Sequence, residues 1–76
     1  MAYIDMELNA ENMPAPMPLM KALRVIDTML PGQVLKITTS AADSISNFEN
    51  MCRLLGHKLI EIIDWNGEYT LLVQKH

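Results

Sequence analysis

Hydrophobic and polar residues along the chain follow two different periods. In residues 3–8 they alternate, so that Ile4, Met6 and Leu8 share one face, and this period of two predicts a first strand. From Pro16 or Met17 to about Met29 the apolar residues recur at helical spacing, which predicts a first helix. The apolar face of this helix is expected to consist of Leu19, Met20, Leu23, Ile26 and Leu30.

Three further strands are predicted in the rest of the chain. Pro31-Gly32 ends the first helix, and the β-branched residues in 34–39 favour a strand. Residues 59–65 and 69–74 are the other two predicted strands. They are separated by Asn66-Gly67, which is typical of a type I′ hairpin turn because that turn needs positive φ at both central residues.

A second helix is predicted between residues 34–39 and 59–65. It is expected to begin at a cap formed by Asp43 or Ser44, with Ser46 and Glu49 as a competing capping box. Gly56 suits the position just after the last turn. The apolar face is expected to contain Ile45, Phe48, Cys52 and Leu55, with Met51 and Leu54 beside it.

The order of these elements is β-α-β-α-β-β. It predicts an α+β fold, a two-layer sandwich in which two helices cover one face of a four-stranded mixed sheet. The sequence contains neither a linker nor an internal repeat, so residues 1–76 are expected to form a single domain.

Composition and charge exclude several classes of function. The formal net charge is −3 and the six Lys and Arg residues are dispersed, which argues against nucleic acid as the main partner. The predicted central strands also lack the paired aromatic residues of an RNA-binding sheet. The sequence has no stretch long enough to span a bilayer, and its N-terminus lacks the features of a signal peptide. We therefore expect a cytoplasmic protein.

The single cysteine, Cys52, excludes an internal disulfide and a multi-cysteine zinc site. Its position on the apolar side of the second helix predicts a buried, inert thiol, with a second reactive thiol as the alternative. His57 is a weak candidate for a general base. The other interpretation is that it ends the second helix, where a cation is favourable, or begins the next strand.

The candidate chemistry lies at Ala15-Pro16-Met17-Pro18, where the first helix begins. Proline is tolerated in a first helical turn because its missing N–H would have no partner there. A helix N-terminus stabilises anions, so a cysteine at position 15 would be an activated thiolate, with backbone N–H groups near Met17 to Leu19 as candidate donors. Ala15 has no thiol.

These residues resemble the TusA/SirA family of small sulfur-carrier proteins, and the resemblance covers nearly the whole chain. The family signature, Leu-Asp-x-x-Gly-Leu-x-Cys-Pro-x-Pro, corresponds to residues 8–18. Pro31-Gly32 and the segment Gly56-His57-Lys58-Leu59 also match the family pattern. In the preferred register Ala15 takes the cysteine position, whereas the other register places Met13 there; both lack the thiol.

The sequence departs from the signature at two more positions. Asn9 stands where the family has aspartate, and Asn12 stands where it has glycine. Asparagine is the best non-glycine substitute at a left-handed position, so Asn12 can take the left-handed backbone of a tight turn.

The resemblance implies that a cysteine at position 15 accepts sulfur as a persulfide from a cysteine desulfurase or a rhodanese. It then passes the sulfur to an acceptor protein, in pathways such as tRNA thiolation, molybdenum-cofactor maturation or sulfur oxidation. It implies neither a metal nor an organic cofactor. Partners are expected to dock on residues 15–24.

Several residues around position 15 have a functional and a structural interpretation. Pro16 and Pro18 either shape a persulfide-presenting loop or only begin the helix. Lys21 and Arg24 either form a basic rim for an acidic partner or lie on a solvated helix face. The methionines of this region either form an adaptable docking patch, or Met20 alone belongs to the core; they are Met13, Met17 and Met20.

Two explanations fit Ala15. It is either an engineered replacement of a native cysteine, which we favour because Pro16-Met17-Pro18 is otherwise intact, or a natural loss of the thiol. In the second case the chain is a non-catalytic interaction or regulatory module that retains the docking surface.

Overall fold

The computed structural model describes residues 3–76, in which two helices cover one face of a four-stranded sheet. The predicted fold class and element order are confirmed. The elements along the chain are β1 (Met6–Ala10), α1 (Met17–Thr28), β2 (Val34–Thr39), α2 (Asp43–Leu55), β3 (Lys58–Trp65) and β4 (Glu68–Gln74).

The strand order in the sheet is β1-β2-β4-β3. β1 is parallel to β2, and the other two pairs of neighbouring strands are antiparallel. Because Ala10 pairs with Thr39, the carboxyl ends of β1 and β2 lie at the same edge of the sheet. The segments that lead into α1 and α2 both leave from this edge, which places the N-terminal region of α1 there.

The first strand lies further along the chain than predicted. Residues 3–5 precede β1, which begins at Met6 and continues to Ala10. The start of β1 is set by its parallel pairing with β2. β2 begins at Val34, and Met6 pairs with the next residue, Leu35. Asp5 still forms hydrogen bonds with the first residue of β2. Its N–H donates to the Val34 carbonyl at 2.9 Å, and its carboxylate accepts the Val34 N–H at 2.8 Å.

The buried face of α1 also differs from the prediction. Met20 and Leu30, expected in the core, are 54% and 67% exposed. Ile26 is buried as predicted, and the predicted Leu19 and Leu23 are partly buried against the core. The helix also buries Pro18 and Ala22, which lie eight and four residues before Ile26. Ala22 and Ile26 belong to a core that also contains Met29, Leu35, Ile37, Phe48, Met51, Cys52, Leu71 and Val73.

The second helix ends as predicted but begins differently. Gly56 adopts the left-handed conformation with φ of 80° that ends α2. The N-cap is Ala42, without a side-chain cap, so neither Asp43 nor Ser44 has the expected role. The capping box at Ser46 is not formed, because the Ser46 hydroxyl donates to the Asp43 carbonyl inside the helix. Leu54 and Leu55, predicted beside or on the apolar face, are exposed.

The hairpin between β3 and β4 confirms the turn prediction. Asn66 and Gly67 have φ values of 52° and 78°, as a type I′ turn requires at its two central residues. The flanking strands pair directly across this turn, Trp65 with Glu68.

Lys75 stabilises the C-terminal end of α1. Its ammonium group donates to the Met29 carbonyl at 2.7 Å, where the helix dipole favours a cation. We expect Lys75→Met to lower the free energy of unfolding by about 1 kcal/mol, because it removes a charge-assisted hydrogen bond. Urea titration checks this. Lys58→Met, at an exposed position on β3, is the control, and an equal loss in both variants would contradict the assignment.

Candidate functional site

A short loop from residue 11 to residue 16 places Ala15 at the entrance to α1. The N–H of Glu11 donates to Asn9 Oδ1 at 3.0 Å, and the N–H of Met13 donates to the Ala10 carbonyl at 3.4 Å. The N–H of Asn12 donates to Ser40 Oγ at 3.3 Å, which connects the loop to the residue after β2. The loop backbone is therefore held at three consecutive amides.

The two asparagines that depart from the family signature both fit this loop. Asn12 has φ of 63°, which confirms the expected left-handed conformation. Asn9 accepts the Glu11 N–H through its side-chain oxygen, and an aspartate carboxylate could accept the same bond.

The chain then enters α1 through its prolines. Pro16 is the N-cap, the Ala15-Pro16 peptide is cis, and Pro18 lies buried in the first turn. The predicted start of the helix at Pro16 or Met17 is confirmed. Ala15 itself is half-buried.

The backbone donors at this helix end are fewer than expected. The sequence suggested N–H groups near Met17 to Leu19, but the Met17 N–H already donates to the Pro14 carbonyl at 2.9 Å. The Met20 N–H donates to the Pro16 carbonyl at 3.1 Å. Pro18 has no N–H, so within residues 3–76 Leu19 is the candidate donor that remains.

The N-terminus of α1 is electrostatically open to an anion. Its first turn contains no acidic residue, and within the described residues 3–76 no side chain caps it. α2 differs, because Asp43 lies in its first turn and offsets the positive end of that helix. The two helix entrances at this edge are therefore not equivalent.

Four exposed side chains form a methionine–basic surface on α1. Met17, Met20, Lys21 and Arg24 line a depression of about 150 Å³. The alternative that Met20 belongs to the core is wrong, because it is largely exposed. Met13 is half-buried and does not line this depression. The structure thus brings together four of the five methionine and basic residues singled out from the sequence around position 15.

The two cations of this surface have no partner within residues 3–76, unlike most of the other cations. Lys36 pairs with Glu7 at 3.5 Å on the sheet. Arg53 donates to Asn50, and Lys75 donates to the end of α1. Neither Lys21 nor Arg24 makes such a contact in this part of the chain, so both are available to an acidic partner.

Cys52 lies in the core of the protein, as predicted. It is 4% exposed and free, and burial raises the pKa of its thiol. A thiol that is both shielded and harder to ionise is a poor nucleophile.

His57 lies at the other end of the sheet from Ala15. It follows α2 and directly precedes Lys58, the first residue of β3. Lys58 pairs with Gln74 at the end of β4, and Gln74 also pairs with Val34, the first residue of β2. Its Nδ1 accepts the His76 N–H at 3.0 Å. Burial, and then the positive charges of Lys75 and His76, lower the pKa of its imidazole. The structure therefore does not bring His57 to the site, and His57 precedes the next strand as the alternative interpretation expected.

A second depression of the described surface is remote from Ala15. It measures about 440 Å³ and is lined at the opposite end of the sheet by residues that include Asp5, Gly32, Ile60 and Gln74. Residues 3–76 hold no group of three or more His, Cys, Asp or Glu side chains suited to a metal. None of the helices in this part of the chain is long and apolar enough to cross a membrane.

Ser40 is the site residue that sequence reasoning missed. It contacts the loop through a hydrogen bond between residues 28 positions apart. The sequence signal for it was weak, since a serine after a strand is ordinary turn chemistry.

Comparison with known proteins gives a consistent result. The family model described as sulfurtransferase TusA matches residues 6–75. The chain is 29% identical over 75 residues to the sulfur carrier protein TusA of Allochromatium vinosum, covering 99% of each. It is 30% identical over 67 residues to a putative sulfur carrier protein of Neisseria meningitidis serogroup A, covering 88% of this chain and 90% of the relative.

A solved structure shows the same fold. The SirA-like protein from Desulfitobacterium hafniense superposes with a TM-score of 0.81 at 18% identity, over 92% of this chain and 96% of that one. The match of the family model to nearly the whole chain carries the assignment. The chain belongs to the sulfurtransferase TusA family.

Proposed function

We propose that this scaffold carries sulfur as a persulfide on a cysteine at position 15, and that the chain with Ala15 is its thiol-less form. The observation that carries the proposal is the open helix entrance next to Ala15, which has no acidic residue in its first turn and no side-chain cap from residues 3–76. The sulfur carriers among its relatives support the class of chemistry.

In the thiol-bearing form the transfer needs no net oxidant. The residue-15 thiolate attacks the outer sulfur of a donor persulfide, a new S–S bond forms and the donor's S–S bond breaks. The donor cysteine leaves as a thiolate, and residue 15 holds the persulfide. The same exchange in the reverse sense passes the sulfur to an acceptor cysteine.

Each nearby residue has a distinct role in this proposal. The Leu19 N–H and the positive end of α1 stabilise the anion. Pro16 and Pro18 fix the approach of the chain to the helix, and Lys21 and Arg24 attract an acidic partner. The exchange uses neither a metal nor an organic cofactor.

The proposed donor is a cysteine desulfurase or a rhodanese, and the proposed acceptor is another sulfurtransferase protein. The sulfur would serve tRNA thiolation, molybdenum-cofactor maturation or sulfur oxidation. A persulfide relay requires reduced thiols, which the cytoplasm maintains, so we propose that residues 1–76 act there as one domain.

The acidity of a thiol at position 15 tests this proposal. We expect the cysteine in Ala15→Cys to have a pKa about one unit below the usual value of about 8.5, because the open helix end favours the thiolate. The pH dependence of iodoacetamide alkylation measures it. Ala42→Cys, at the entrance of α2 beside Asp43, is the matched control. A pKa at position 15 equal to or above that of the control would contradict the proposal.

A second candidate function is a non-catalytic docking or regulatory module. The methionine–basic surface favours it, because this surface is exposed and does not depend on a thiol. In this case the Ala15 chain binds relay proteins and blocks transfer. When added in excess, the Ala15 chain should then slow the sulfur loading of Ala15→Cys. If the Ala15 chain does not bind the relay proteins, the loading rate stays unchanged.

A further inference from the structure

The loop that carries residue 15 is held by three consecutive amides, but their acceptors differ in kind. The acceptors for Glu11 and Met13 are Asn9 and Ala10, which lie within three residues in the sequence. Both acceptors belong to β1, so these bonds fold the turn back onto the strand from which it leaves. The acceptor for Asn12 is Ser40 Oγ, which belongs to the connection between β2 and α2.

The Ser40 side of this contact is itself held firmly. Ser40 follows Thr39, which is fully buried at the end of β2 and pairs with both neighbouring strands. Thr39 Oγ1 accepts the Ala41 N–H at 3.1 Å, and the Ala41 carbonyl accepts the Ser44 N–H at 2.9 Å. The hydroxyl of Ser40 is therefore presented from a fixed backbone between the sheet and α2.

The loop side is equally constrained. Asn12 is in the left-handed conformation, with φ of 63°, and this backbone geometry sets the direction of its N–H. A hydrogen bond between two such segments restricts the position of one relative to the other.

We infer that Ser40 is a positioning residue, whose hydroxyl holds the loop from residue 11 to residue 16 against the sheet and so fixes residue 15 at the entrance to α1. The consequence for sulfur transfer rests on the proposed function. The contact itself does not, because it is present in the Ala15 chain.

Three variants separate this role from a general effect on stability. Ser40→Ala removes the acceptor, and Ser40→Thr keeps a hydroxyl. Ser46→Ala removes a hydroxyl that donates only within α2 and is the matched control. Each is made in the Ala15 chain and in Ala15→Cys.

Two readouts are used. Amide hydrogen exchange of Asn12, followed by NMR in the Ala15 chain, should become about fivefold faster in Ser40→Ala, as the net loss of one hydrogen bond predicts. In Ala15→Cys the alkylation pH profile of residue 15 should shift towards that of a free thiol, and loading from a cysteine desulfurase and cysteine should slow about fivefold. Ser40→Thr should restore both, and Ser46→Ala should change neither.

Each outcome decides the question. Unchanged Asn12 exchange in Ser40→Ala would overturn the contact. Faster exchange with an unchanged pH profile of residue 15 would overturn the positioning role. If Ala15→Cys takes up no sulfur, the proposed function fails, yet a shift of the alkylation profile that Ser40→Thr reverses still supports the positioning role.

Discussion

Phe48→Ala is expected to remove much of the protein's free energy of unfolding. Phe48 is fully buried on α2, and it is the largest of the side chains with no exposed surface. Truncation of such a residue costs about 3–5 kcal/mol, through lost burial and the cavity that remains. A domain of this size has a total stability of only about 5–8 kcal/mol, at the low end of the usual range.

Circular dichroism and urea titration measure this effect. Leu54→Ala is the matched control, because Leu54 lies on the same helix and is 77% exposed. It should change the free energy of unfolding by less than about 0.5 kcal/mol. Similar losses in the two variants would show that α2 does not pack through Phe48.

Reversal of the two cations on α1 should have the largest effect on partner binding. We expect Lys21→Glu with Arg24→Glu to slow the loading of Ala15→Cys about 10- to 100-fold at low salt, because it replaces attraction with repulsion at the docking surface. The Ala15 chain, added in excess, should compete with Ala15→Cys for the donor, and the same pair of substitutions in the Ala15 chain should abolish this competition. The difference should shrink as salt is added, since salt screens exposed charges.

The matched control reverses two other exposed cations, Arg53 and Lys58, and changes the net charge by the same amount. It should leave loading and competition close to those of the parent chain. If both double reversals slow loading equally, the effect belongs to the overall charge, and the α1 surface is not the docking site.

The parts of the fold that depend on local sequence were predictable. Residues 34–39 form β2 with the predicted bounds, because β-branched side chains favour a strand wherever it lies. Asn66-Gly67 and Gly56 adopt the expected positive φ values, since few other residues accept them.

Features that depend on packing were not predictable from one sequence. Helical spacing alone allowed Met20 to be buried, but α1 approaches the sheet through the smaller Ala22 and so turns Met20 outward. The start of β1 depended on where β2 begins, which is a matter of register between strands 28 residues apart in the sequence.

The candidate site shows the same division. The left-handed Asn12 and the helix entrance at Pro16 follow from local rules, and both were predicted. The engagement of the Met17 N–H with Pro14 and the contact from Ser40 could not be read from spacing, because each depends on the folded path of the loop.

The most direct test of the proposed function is intact mass spectrometry of the Ala15 chain and Ala15→Cys, each incubated in its own tube with a cysteine desulfurase and cysteine. The tubes are kept separate because Ala15→Cys is heavier than the Ala15 chain by one sulfur atom, the same mass that loading adds. We predict that Ala15→Cys alone gains the mass of one sulfur atom and loses it on treatment with a reductant. Uptake by neither protein would contradict the carrier function with this donor, and uptake by the Ala15 chain would identify Cys52 as the acceptor instead.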